Sequence, residues 1–208
     1  MGEYVVASPS RRRAIVREQK RPRDVIVARY REVYPAAVRH LAGEANADDL
    51  AALADELEAM QAGSDWQAQD NALSAEALDA FVAIKSNLNL IRYTVSAGDF
   101  DPNSIQLQGV SISVRPEVHV TTVSGRTGAI KLYLSKTHPL PAEAGLAAAT
   151  LVHALLRDGL GLSDTRHSDC MLVDVFAGRI YIAPANFKVR MRDVDAACEE
   201  ISRAWVSA

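Results

Sequence analysis

The 208-residue chain has little cysteine: Cys170 and Cys198 are its two, and neither sits in a CxxC pair or a Cys/His cluster. That excludes a disulfide framework and argues against structural zinc. No apolar run approaches the ~20 residues that span a bilayer. The N-terminus, MGEYVVASPSRRR, turns to charge where a secretory signal turns apolar. Gly2 lacks the downstream Ser or Thr of a myristoylation signal. A cytoplasmic chain with no membrane attachment is the expectation. The sequence also lacks GxxxxGK(S/T), GxGxxG, GxSxG and HExxH, which removes the enzyme classes built on those phosphate-cradling, dinucleotide, nucleophile-elbow and zinc-binding devices. Internal repeats and low-complexity tracts are absent as well.

Basic residues are missing from residues 41–80, which carry ten Asp/Glu and a net −10. Residues 1–40 hold ten Lys/Arg against four acids, a net +6, so the overall −3 hides a strong asymmetry. Two readings stay open. The basic arm faces nucleic acid through Arg11, Arg12, Arg13, Arg17 and Lys20, or the two segments pack together through complementary charge. No aromatics interleave with these arginines, which weakens a base-stacking role.

With 49% apolar and 24% charged residues, the composition is that of a globular protein with one core, or a core plus a helical extension. Residues 9–21 read as a basic helix or a disordered arm that breaks at Pro22. A helix capped by Asp24 follows, with Ile26, Tyr30, Val33, Ala37 and Leu41 inward and a kink at Pro35. Asn46 opens a third helix with Asp48 and Asp49 in its first turn and Leu50, Leu53, Leu57 and Met60 as its stripe. A loop is expected over 64–73, then a helix from Ser74 that ends before Gly98. A soft boundary near residue 70 separates a basic arm and acidic helical region (1–70) from a mixed α/β core (71–208). The core reads strand 105–121, turn Ser124-Gly125, strand 128–135, helix 141–159, strands 170–177 and 179–184, and helix 192–206. The last helix turns Val194, Cys198, Ile201 and Trp205 inward. The predicted class is α+β: a helical N-terminal region, then a mixed sheet flanked by helices.

Residues 109–136, GVSISVRPEVHVTTVSGRTGAIKLYLSK, carry the most specific pattern. Val110, Ile112, Val114, Val118 and Val120 alternate with Ser111, Ser113, Arg115, Glu117 and His119, the period of a half-buried strand. If the hairpin keeps apolar residues on one face, Val114, Val118 and Val120 join Ile130, Leu132 and Leu134. Glu117 then faces Lys131, an ion pair across the ladder, and Lys136 points the other way.

An acid and a lysine on consecutive strands, framed by helices, resemble the PD-(D/E)XK nuclease-like superfamily. Gly109 and Pro116-Glu117 stand at its first motif. Leu134-Ser135-Lys136-Thr137 stand at its second, which ends in acid, any residue, lysine. The resemblance implies a Mg²⁺ held by Glu117 and further acids, with Lys136 orienting the attacking water, for phosphodiester hydrolysis. Leu134 occupies the place of the second acid, so Glu143 or Asp174 would have to supply it, or the fold binds nucleic acid without cutting. His119 beside Glu117 is a candidate base, and His138, His153 and His167 are too scattered for a ligand set. Asp174, inside MLVDVF, needs a partner such as Arg179 or Arg190, or a function. The alternative to a nucleic-acid-associated protein is a non-enzymatic adaptor that docks on a protein partner or on a second copy.

Overall fold

A computed structural model describes residues 1–20 and 29–207. The expected break at Pro22 and cap at Asp24, together with Ile26, Arg21 and Arg23, lie outside the described residues. The fold is α+β, with seven α-helices and two sheets among the described residues.

The helical half begins with α1 (Gly2–Val6) and α2 (Pro9–Lys20), so the basic segment is a helix. α3 (Val33–Ala42) starts two residues before Pro35. Pro35 therefore sits in the first turn, where its missing N–H costs nothing, and the expected kink does not form. α4 (Ala47–Ala59) is fixed by a reciprocal cap. Asn46 Oδ1 accepts from Asp49 N at 3.0 Å, and Asp49 Oδ2 accepts from Asn46 N at 2.7 Å. We expect Asn46→Ala to lower stability by about 1 kcal/mol, measured by urea denaturation. Leu50 and Leu57 are buried, but Met60 lies past the helix end and is exposed.

α5 (Asp65–Lys85) overturns the loop expected at 64–73. Ser64 caps it by accepting from Gln67 N at 3.2 Å, and the first turns are largely solvated, which hides their helical period. The boundary proposed near residue 70 falls inside this helix. α5 also stops well before Gly98, and Tyr93–Ala97 forms strand β1 instead.

The single strand expected over 105–121 is three: β2 (Ser104–Leu107), β3 (Val110–Ser113) and β4 (Val118–Thr122). Gln108 and Gly109, both at positive φ (49° and 77°), make a two-residue hairpin turn. Arg115, at φ 44°, breaks the chain a second time. The remaining elements are β5 (Thr127–Tyr133), α6 (Ala142–Ala154) with one π turn over Leu155–Gly159, β6 (Cys170–Asp174), β7 (Arg179–Ile182) and α7 (Phe187–Ser207).

The main sheet runs β1-β4-β5-β6-β7, in chain order apart from the inserted β2–β3 hairpin. Every neighbouring pair is antiparallel except β5–β6, which is parallel and joined through α6. Val118, Val120, Ile130, Leu132, Met171 and Val173 face α3, α4 and α5. Ala129, Cys170 and Leu172 face α6, the β2–β3 hairpin and α7. Val114 belongs to this second cluster, not the first, because the turn at Arg115 reverses its side. α2 packs on α1 and α7, whereas α4 packs on α5 and α3. The basic helix therefore takes its counter-charges from α1, α7 and itself rather than from residues 41–80. Arg11 pairs with Glu3 and Glu18, and Arg12 pairs with Glu200 at 2.7 Å.

Candidate functional site

β4 and β5 are in register with Val118 opposite Ile130, which sets Glu117 opposite Lys131. Glu117 Oε1 pairs with Lys131 Nζ, and Oε2 accepts from Leu132 N at 2.6 Å. Both oxygens are thus engaged at the point where β4 begins and its ladder with β5 ends. The Tyr34 ring lies 5.8 Å from the ammonium. Side-chain exposures of 17% for Glu117 and 26% for Lys131 make this a largely desolvated pair. Burial raises the Glu117 carboxyl above its ordinary value, and the Lys131 charge opposes that rise. Burial and the neighbouring Glu117 charge push the Tyr34 phenol up to about 12.

The other predicted site residues go elsewhere. Lys136 pairs with Glu76 of α5, on the α3–α5 side of the sheet. Glu143, in the first turn of α6, pairs with Arg190 of α7. Asp174 is fully buried and accepts from Leu140 N at 2.8 Å and Ala177 N at 3.3 Å. The salt bridge expected for it is replaced by backbone amides, since β6 ends where two turns present their N–H groups. Glu117, Lys136, Glu143 and Asp174 consequently have four separate sets of partners.

Arg115, Glu117 and His119 do not form one polar face, because the chain reverses at Arg115. His119 instead lies edge-on to Phe100 at 5.7 Å, with Nδ1 3.4 Å from Ser96 Oγ, and burial lowers its pKa. His138 contacts its neighbour Thr137, and His167 Nδ1 meets Ala183 O at 2.7 Å. His153 is buried against Phe187 with its ring centroid 4.5 Å away. Both cysteines are free and buried, and burial raises both thiols, Cys198 to about 11. Low-pKa thiolate chemistry has no support there.

Two features escaped the sequence reading. Buried Asp169 accepts from Tyr93 OH at 2.7 Å and lies 3.4 Å from Arg126 Nε, tying together the ends of β1, β5 and β6. Its signal was an acid just before an apolar strand, which pattern alone does not separate from a solvated turn. A cleft of about 490 Å³ opens beyond β5, lined by Tyr133, Ser135 and His138 from one side and Glu3 and Arg11 from the other. It brings the N-terminal arm to the end of the hairpin. On α2, Arg13 and Arg17 are exposed one helical turn apart with no ion pair to a described residue. Lys20 lies 5.5 Å from the Trp205 ring.

The acids do not fit a Mg²⁺ site as placed. Glu117 has both oxygens committed, and the residue two before Lys131 is Ala129, buried in the core. Neither Ala129 nor Leu134 offers a metal ligand. No family model matches the chain, and comparison with curated proteins and solved structures likewise finds no match.

Proposed function

We propose that the chain is a nucleic-acid-associated protein whose core resembles the PD-(D/E)XK nucleases and which binds without cutting. The observation that carries this reading is the Glu117–Lys131 pair. Glu117 is committed to Lys131 across the ladder instead of meeting Lys136, and the second acid position holds Leu134. Lys136, the lysine of the second motif, pairs with Glu76 on α5. The Lys131 charge neutralises Glu117, which supports binding without a hydrolytic centre. Arg13 and Arg17 supply phosphate contacts, with Arg11 beside the cleft past β5.

The test pairs cleavage with binding. Plasmid and single-stranded DNA incubated with Mg²⁺ or Mn²⁺ should stay intact, and binding read by fluorescence anisotropy should weaken steeply with salt. Arg13→Ala/Arg17→Ala should flatten the log–log salt slope by about 2. Metal-dependent cleavage abolished by Glu117→Ala would overturn the proposal, as would an absence of DNA binding at low salt.

A second reading, the protein-interaction module, draws on a different observation. Ile91 and Val123 are each 95% exposed, and they flank the paired residues Tyr93 and Thr122 at one end of the β1–β4 ladder. Two large apolar side chains held out at one sheet corner are suited to a protein partner.

A further inference from the structure

We propose that β1 is a dimerisation edge, pairing antiparallel with β1 of a second copy to continue the sheet across a two-fold axis. The proposal deepens the protein-interaction reading and does not depend on nucleic-acid binding. β1 ends the main sheet, and no strand among the described residues pairs with its outer side.

The phase of its ladder is fixed by Gly98 N donating to Glu117 O at 2.8 Å. Residues 94, 96 and 98 therefore turn their backbone groups toward β4. Val95 and Ala97 turn theirs outward, and neither has a backbone partner on that side among the described residues. The strand itself, YTVSA, has no charge, no proline and no bulge, the devices that ordinarily blunt an open edge. The opposite edge shows the contrast: β7 begins on Arg179 and runs into Pro184.

Charge selects the occupant. Exposed Arg92 stands just before β1, and exposed Asp99 and Asp101 stand just after it. Asp99 has no ion pair to a described residue. Two copies set antiparallel about Val95 bring each Arg92 to the other's acidic end, whereas a parallel arrangement would place like charges together. In this register Val95 N–H meets the carbonyl of Val95 in the second copy, and Ala97 N–H meets that of Tyr93, each reciprocally. The Tyr93 N–H is taken by Leu90 O at 2.9 Å, whereas its carbonyl accepts from no backbone N–H of the described residues. Such an isologous contact closes on itself and stops at a dimer.

Sedimentation velocity over a concentration series tests the edge. The wild type should pass from monomer to dimer with rising concentration. Ala97→Pro, which deletes an outward N–H and leaves the β4 ladder intact, should sediment as a folded monomer. Arg92→Glu and Asp99→Arg should each weaken the dimer at least tenfold, and the double variant should restore it. A wild type that stays monomeric throughout, or a dimer indifferent to the charge swap, would overturn the proposal. DNA anisotropy on the same variants keeps the two readings apart, because Arg13 and Arg17 lie on α2, far in sequence from this edge.

Discussion

Asp174→Ala should lower stability by about 4 kcal/mol, seen as a urea midpoint roughly 2 M below wild type. Asp174 ends a strand buried on both faces and has no exposed surface itself. Its Oδ2 holds Leu140 N–H, in the lead-in to α6, and its Oδ1 holds Ala177 N–H, in the turn to β7. Truncation strands the buried Leu140 amide away from water and leaves the half-buried Ala177 amide without its acceptor, at about 1–3 kcal/mol each. The Leu140 carbonyl is anchored separately, by Tyr181 OH at 2.9 Å, so the segment loosens without being released. Asp174→Asn keeps one acceptor and should cost about half as much. A loss under about 1 kcal/mol for the alanine variant would mean that water reaches the amides, which would count against the buried-acceptor assignment.

Asp174 also shows what one sequence can and cannot display. That an acid inside MLVDVF needs a partner follows from desolvation alone. That the partners are backbone amides from two turns does not, because loop geometry leaves no periodic trace. Pairing by period was legible: Glu117 opposite Lys131, and Val118 and Val120 sharing a face with Ile130 and Leu132, follow from side-chain alternation. The same alternation misled where the backbone turns over. GVSISVRPEV keeps its period of two through Arg115, yet the positive φ there moves Val114 to the other core. The partners of Lys136 and Glu143 were invisible for another reason: Glu76 and Arg190 come from helices 60 and 47 residues away in the chain. The basic helix was legible only as one of two alternatives, a helix or a disordered arm, and its counter-charge on α7 was not legible.

Lys131→Met should destabilise the protein by ~3 kcal/mol near pH 8 and far less near pH 4.5. The side chain that remains, Glu117, is 17% exposed, and without Lys131 its carboxylate loses the charge that offsets burial. In the wild type, burial already raises the Glu117 carboxyl above the 4.5 of a free one. A raised acid binds its proton more tightly when folded, so its contribution favours folding below the unfolded value. That contribution fades as pH climbs through the folded value. Removing Lys131 raises the folded value further and widens the window, so the deficit grows from about pH 4.5 upward. Glu117→Gln behaves in the opposite sense. It abolishes the titration while its amide oxygen still accepts from Leu132 N–H, so its stability relative to wild type improves as pH rises. The double variant, Glu117→Gln/Lys131→Met, should be nearly flat with pH over the same range. Urea denaturation of all four proteins between pH 4.5 and 8 reads the set. A Lys131→Met deficit that does not change with pH would assign the loss to packing against Tyr34. The pair would then be a passive contact rather than the neutralised acid on which the non-cleaving reading depends.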